Sequence, residues 1–228
     1  MTIDLWGTLI KAESGLSVLM ADFLASHSGL SPAETAAILH HLGKALDAAA
    51  VHSGVDIPSR DKLGILLREC GIRNLNSKQL ELVLVEHVTR TPLRLCEPEC
   101  VEILERIADR GIRIAYASNS GFIGGQIMRS ELRRFNLLDD RGTRWCAFSD
   151  ELGIAKPNPK FFNYVRRRFA ANTVVHVGDN IVTDFLGAAN SGIYPMLVDR
   201  SVNPRKCSDH LAAGSLVSLF NELLENIR

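Results

Sequence analysis

The sequence has little of what marks a nucleic-acid-binding, membrane or secreted protein. It has no charge excess, with 26 Lys and Arg against 26 Asp and Glu in 228 residues. No charge excess of the kind that drives binding to nucleic acids or anionic membranes is therefore present, and aromatic residues are sparse. No apolar run approaches the roughly 20 residues of a membrane span. Residues 1–25 carry Asp4, Lys11, Glu13 and Asp22, unlike a signal peptide. The five cysteines (Cys70, Cys96, Cys100, Cys146, Cys207) are odd in number and scattered, which reads as reduced thiols in a cytoplasmic protein. Cys96 and Cys100 have no second Cys/His cluster to complete a zinc site. There is no repeat and no low-complexity tract.

What the chain does have is alternation of strand and helix from about residue 98. Pro98 marks a helix start and Gly111 its stop. Strands are predicted at 112–117, 145–148, 173–177 and 194–198, and helices at 122–136, 158–169, 181–190 and 214–227. Such a pattern gives an α/β fold with a mostly parallel sheet and helices on both faces. Its ligands sit beyond the carboxyl ends of the strands. Only Met1 to Ile3 precede Asp4, so the first strand is expected to be very short. Residues 12–95 read as all-helical. Helices are expected over 15–26, from the capping box Ser31-Pro32-Ala33-Glu34, from Ser59 to Gly71, and from Asn76 with Gln79 to about Arg90. In the second of these, Ile38, Leu42, Ala45, Leu46 and Ala49 form the apolar face. The expected organisation is a Rossmann-like core of residues 1–11 and 96–228 with a helical cap, 12–95, inserted into it.

Four polar segments fall at strand ends. Asp4-Leu5-Trp6-Gly7-Thr8-Leu9 puts an acid before a glycine turn, a weak signal by itself. Ile114 to Asn119 ends an apolar strand in Ser118 and Asn119, a hydroxyl and an amide suited to anionic oxygens. Lys156, before Pro157 and Pro159, supplies a cation able to balance a carboxylate and a phosphate. Val174 to Asn180, with Asp184 five residues after Asp179, puts two carboxylates beyond a strand, where they suit Mg²⁺.

In order and kind, these four segments resemble the four motifs of the haloacid dehalogenase-like hydrolase superfamily, and they frame the whole chain. The resemblance implies a Rossmann-like core, a helical cap after the first motif and a covalent aspartyl intermediate. By that likeness Asp4 is the nucleophile, Ser118 and Asn119 hold the transferring group, and Lys156 stabilises the charge. Mg²⁺ would be bound by Asp4, Asp179, Asp184 and the backbone carbonyl of Trp6. A carboxylate nucleophile divides one hard displacement into two easier ones, and phosphoryl transfer needs mainly positioning and charge neutralisation.

The sequence departs from the pattern at Trp6. Phosphatases of this superfamily carry there a second Asp, which protonates the leaving group and later activates water. Such acid–base help is worth roughly 10²–10⁴-fold, and an indole can donate a hydrogen bond but cannot act as a base. Three readings stay open. One is a Mg²⁺-dependent phosphohydrolase acting on small phosphorylated molecules whose leaving group needs little protonation. A second is a 2-haloacid dehalogenase-type enzyme, in which this position is commonly aromatic and halide leaves unaided. The third is a degenerate site that binds without turnover. Trp6 either plugs the pocket or forms part of its wall.

Other residues have plainer readings. His176 is a hydrogen-bonded core histidine. Of His40 and His41, mid-helix in the cap, one faces out. Arg166 to Arg168, and Arg133 with Arg134, read as solvated faces. Substrate choice is expected from the cap, through Lys11, Ala12, Glu13 and the loop from Val51 to Ser59.

Overall fold

The computed structural model describes residues 1–138, 144–169, 171, 173–201 and 212–226. The chain opens with β1 (Thr2–Ile3) and β2 (Ile10–Lys11). It passes through four helices, α1 (Ser14–His27), α2 (Pro32–Ser53), α3 (Ser59–Glu69) and α4 (Ser77–Arg90), and returns at β3 (Arg94–Leu95). Then follow α5 (Cys100–Asp109), β4 (Ile114–Ser118), α6 (Gly125–Arg134), β5 (Arg144–Phe148), the short α7 (Ser149–Leu152) and α8 (Pro159–Phe169). β6 (Val175–Gly178) leads into a π-helical turn (Ile181–Leu186) and α9 (Gly187–Ala189). The chain ends with β7 (Tyr194–Val198), β8 (Ala212–Ala213) and α10 (Leu216–Asn226).

β1, β4, β5, β6, β7 and β8 form one parallel sheet in the order β5-β4-β1-β6-β7-β8. The shortest strand is central: Thr2 lies opposite Ala115 on one side and His176 on the other. The Asp4 amide extends this pairing by donating to the Val177 carbonyl at 2.8 Å. Strand order reverses at β1, so the loops after β1, β4 and β6 diverge there and leave a crevice for a ligand.

Both faces of the sheet are covered, and β4 shows how. All five of its residues are buried, as expected of a strand with helices on each side. Its side chains alternate. Tyr116 packs with Ile103 and Leu104 of α5, Leu132 of α6 and Phe220 of α10. Ala115 and Ala117 point the other way, where their small size admits Phe161, Phe162 and Phe169 of α8.

The insertion is helical, as its capping signals suggest. Ser31 and Glu34 at α2, and Asn76 and Gln79 at α4, each form the reciprocal backbone bonds of a capping box. Leu16, Met20 and Leu24 of α1 pack with Leu63, Leu66 and Leu67 of α3 and Leu80, Leu84 and Val88 of α4. α2 differs from its sequence reading. Ala45 and Ala49 are exposed, while Leu39, Gly43 and Ala50 face inward with Ile38, Leu42 and Leu46. Only Thr35 and Ala50 of this 22-residue helix are buried: Leu39, Gly43 and Ala50 line a cavity, while Ile38 and Leu42 pack partly buried against the core. Thr35 ties α2 to α1 by donating to the Ala21 carbonyl at 2.8 Å.

β2 and β3 pair antiparallel at the base of the insertion, with Ile10 opposite Leu95. At two residues each, they are too short to leave an alternating pattern in the sequence. The predicted closing helix extends to 227, and Ile227 lies outside the described residues, as does Cys207. Cys70, Cys96, Cys100 and Cys146 are free thiols. Among the described residues, no helix is long and apolar enough to cross a membrane.

Candidate active site

Asp4 is buried where the sheet reverses. The chain turns sharply behind it: the Leu9 and Ile10 amides donate to the Leu5 carbonyl at 2.9 and 2.8 Å. Gly7 sits in this turn with φ +77°, and a Cβ there would lie 2.3 Å from Asp179 Oδ2. The turn thus demands glycine twice, for its backbone conformation and for the approach of Asp179. Thr8 Oγ1 lies 3.2 Å from Asp4 Oδ2 and 3.1 Å from Asp179 Oδ1, bridging the two carboxylates.

Ser118, the last residue of β4, donates to Asp4 Oδ1 at 3.0 Å. Asn119 turns its side chain onto the Lys156 backbone. Its Nδ2 donates to the Lys156 carbonyl at 2.9 Å, and its Oδ1 accepts from the Lys156 amide at 2.8 Å. One Asn119 amide hydrogen remains for a ligand. The Lys156 ammonium is buried and donates three times, to Asp4 Oδ1 at 2.6 Å, Asp184 Oδ1 at 2.5 Å and the Ala117 carbonyl at 2.9 Å. That accounts for all its hydrogens.

Asp184 reaches the site from the π-helical turn, a distortion that often marks functional positions. Asn180 organises it: its side-chain oxygen accepts from the Val182 and Thr183 amides, and its own amide donates to Asp184 Oδ2 at 3.1 Å. Gly178 makes room, since a Cβ there would fall 2.3 Å from Asp184 Cγ. His176 is the hydrogen-bonded core histidine expected. Its Nδ1 meets Thr2 Oγ1 at 2.7 Å and its Nε2 meets Asp184 Oδ1 at 3.0 Å, so it braces the site from inside the sheet.

Electrostatically the cluster carries more negative charge than it neutralises. Asp4, Asp179 and Asp184 each offer an oxygen within 4.8 Å of the others, and one ammonium, Lys156, stands against them. Burial pushes Asp4 up to about 6; Lys156 pulls it down, while Asp184 and Asp179 push it further up. Burial, then Asp184, also raises Asp179. Burial acts to raise Asp184 too, but Lys156 and His176 outweigh it and hold Asp184 well below the usual carboxylate range. Burial disfavours the Lys156 ammonium, yet Asp184 and Asp4 more than reverse this and raise it. Burial lowers His176, which keeps it neutral. Three carboxylates against one cation leave an excess of two negative charges, and a divalent ion with oxygen ligands matches both the charge and the donor set.

Over this cluster lies a cavity of about 720 Å³, walled by the core on one side and the insertion on the other. Trp6, half-buried, forms part of the wall. Of the cap positions expected to contribute, Ala12, Val51 and Asp56 line the cavity. Lys11 and Glu13 do not, and Glu13 instead pairs with Arg94 at 2.9 Å. His40, Lys44 and Asp47 of α2 do line it; their helical spacing was legible, but the side of α2 that faces the core was not. Thr8 also had no assigned role, although it lies one turn beyond Asp4. Arg166, Arg167 and Arg168 are solvated, as read, whereas Arg134 also reaches the Leu93 carbonyl at 2.6 Å.

Comparison with known proteins identifies the family of the chain. Residues 1–192 match the haloacid dehalogenase-like hydrolase family. A phosphoserine phosphatase from Thermus thermophilus is 28% identical over 180 residues, covering 77% of this chain and 68% of the relative. A HAD phosphatase from Thermococcus onnurineus superimposes with a TM-score of 0.66 at 21% identity, covering 97% of this chain and 96% of its own. A 2-haloacid dehalogenase from Pseudomonas syringae pv. Tomato DC3000 gives 0.66 at 22% identity, covering 98% and 97%. At such identities, the solved structures testify to the fold alone. The chain belongs to the haloacid dehalogenase-like hydrolase family and is an enzyme of the hydrolase class.

Proposed function

We propose that the chain is a Mg²⁺-dependent phosphohydrolase that attacks small organic phosphates through Asp4. The observation that carries this is the three-carboxylate cluster with its single lysine. Asp4, Asp179, Asp184 and the Trp6 carbonyl would hold the ion. Bound there, it neutralises charge on the transferring phosphoryl group and polarises its oxygens. Asp4 forms the bond to phosphorus as the bond to the leaving oxygen breaks, and water then hydrolyses the aspartyl phosphate. The remaining Asn119 hydrogen and the Ser118 hydroxyl, once turned from Asp4, hold phosphoryl oxygens, and Lys156 balances the negative charge around Asp4. With Trp6 where an acid–base Asp would stand, the leaving group departs without a proton from that position. Aryl and acyl phosphates suit this better than alkyl esters. Residues 12–95 act as the cap and residues 1–11 with 96–228 as the core, in a cytoplasmic setting that the free thiols support. The phosphoserine phosphatase likeness favours a phosphorylated small molecule.

Trp6 favours a second reading, halide release from 2-haloacids, because a halide needs no proton. Turnover of phenyl phosphate, acetyl phosphate and 2-chloropropionate, with and without Mg²⁺, separates the two. Phosphate release that disappears in Asp4→Asn and on Mg²⁺ removal supports the first. Chloride release that persists without metal overturns it in favour of the second.

A further inference from the structure

Apart from Asp56, which Lys62 already pairs, the charged side chains that the insertion brings to the cavity lie on α2. Around them stand Leu16, Met20, Leu63, Leu66 and Leu84 of the other cap helices, and Phe122 of the core. α2 instead turns His40, Lys44 and Asp47 toward the same space, at the i, i+4 and i+7 spacing of one helical face. The helix lies close over the core: a Cβ on Gly43 would be 3.5 Å from the Phe122 ring. Lys44 and Asp47 are three residues apart and opposite in charge. Yet neither enters a hydrogen bond or ion pair, with each other or with any other described residue. The other ammonium lining the cavity, Lys156, has all three hydrogens engaged. Among the described lining residues, Lys44 is therefore the ammonium still free to donate to a ligand.

Lys44 and Asp47 are both exposed by surface area, and both line the cavity. Burial raises the Asp47 carboxyl, Lys62 pulls it back and Asp56 raises it further. A carboxylate in such a hollow gains from a cation brought to it by a ligand. An unpaired ammonium and an unpaired carboxylate side by side match a group that carries both charges in reverse. The apolar surfaces between them and Asp4 match a hydrophobic body.

We infer that the α2 face selects phosphate esters with an apolar or aromatic body ending in a zwitterionic ammonium–carboxylate head, with Lys44 holding the carboxylate and Asp47 the ammonium. An aryl body is doubly suited. It fills the apolar walls, and its phenolate leaves with little protonation, as the absence of an acid at Trp6 requires. The inference rests on the phosphohydrolase reading for the position of the phosphate, but its test does not need turnover.

Binding is measured by calorimetry on the Mg²⁺-loaded protein with the non-hydrolysable phosphonate analogues of four aryl phosphates. The parent phosphates are phenyl phosphate, phosphotyramine (ammonium only), the phosphate of 3-(4-hydroxyphenyl)propanoate (carboxylate only) and O-phospho-L-tyrosine. Each charge-assisted contact is expected to add about tenfold in affinity, with phosphotyrosine tightest. Lys44→Met should reduce phosphotyrosine to the phosphotyramine level, Asp47→Asn should reduce it to the propanoate level, and Lys44→Arg should preserve it. Affinities within about threefold for all four probes, no binding by any, or a phosphotyrosine preference unchanged in Lys44→Met and Asp47→Asn would each overturn the inference. If the binding order holds while the wild-type enzyme hydrolyses none of the four, the phosphohydrolase reading fails and this one stands. If phenyl phosphate is hydrolysed but the binding order is flat, the reverse follows.

Discussion

At Trp6 the chain departs from the phosphatases it resembles, and the half-buried indole lies in the wall of the cavity that Asp4 opens into. An indole N–H can orient a ligand oxygen, but it cannot give up and regain a proton during turnover. Trp6→Asp restores an acid–base group at that position. It should raise turnover of alkyl phosphates relative to phenyl phosphate by at least about 10²-fold, the lower end of what a positioned acid supplies. An unchanged ratio of the two rates would show that another group already protonates the leaving oxygen. Asp4 makes a second prediction. In the metal-free protein its carboxyl titrates near 6 against an ordinary 3.8. A raised carboxyl favours the protonated folded state, so Asp4's contribution to stability is full below about 4 and lost as pH rises through 6. Mg²⁺ competes with that proton. Calorimetry in buffers of different ionisation heat should find tighter Mg²⁺ binding as pH rises from 5 to 7, with proton release near pH 5.5 and none near pH 8. Asp4, Ser118, Lys156 and Asp179 were legible as candidates because each stands at a strand end or beside a turn, and Asp184 because it follows Asp179 by five residues. The Thr8 bridge and the lock of Asn119 on the Lys156 backbone were not, since they depend on distances across three loops.

Among the elements, α3 shows how the cap is fastened. Lys62 and Asp56 form a buried ion pair of 2.7 Å. Lys62 also donates to the Ser120 carbonyl, just beyond Ser118 and Asn119. Asp56 accepts from Ser149 Oγ at 2.5 Å, and Ser149 Oγ in turn accepts from the Ser120 amide at 2.8 Å. Cap and core thus meet in one closed polar network beside the site. Removing one member of a buried pair leaves an uncompensated charge. Lys62→Met should therefore cost about 3–5 kcal/mol, roughly 6–20 °C in Tm for a chain of this size. Adding Asp56→Asn should recover part of the loss, because no unpaired carboxylate remains. A Lys62→Met protein with wild-type Tm would mean that the network carries no net stability. The helices of the cap were readable because capping boxes are local, at Ser31 and Glu34 and again at Asn76 and Gln79. The inward side of α2 was not, since its small and polar residues answer to a cavity that other elements enclose. The π-helical turn was equally hidden: Ile181 to Leu186 has ordinary helical spacing, and the distortion arises where Asn180 and Asp184 bond to each other's backbone.

For the whole molecule, β1 decides where chemistry can occur. Strand order reverses at Thr2 and Ile3, and only there do the loops carrying Asp4, Ser118 and Asp179 open toward one point. The alternation of strands and helices foretold such a crevice, but not which strands would flank β1. Charge converges on the same point, with three carboxylates drawn from the loop after β1 and the segment after β6. A cation bound there joins two ends of the sequence that the sheet brings together, so it should stabilise the whole fold and not just one loop. Ligand linkage gives the size: Mg²⁺ at about 100 times its Kd adds about 2.7 kcal/mol. For a domain of this length that is a rise of roughly 5–11 °C in Tm. Asp179→Asn should abolish most of the rise. Asp179 makes no ion pair with Lys156, and burial and Asp184 already disfavour its charged form, so its loss should leave the metal-free Tm nearly unchanged. Lys156→Met removes the ammonium that, among the described residues, stands against the cluster. It should lower the metal-free Tm while enlarging the Mg²⁺-induced rise, because the cation then meets three uncompensated carboxylates. If Mg²⁺ leaves the wild-type Tm where it was at millimolar concentration, the excess negative charge is not a metal site. The metal-independent hydrolase reading would then take precedence.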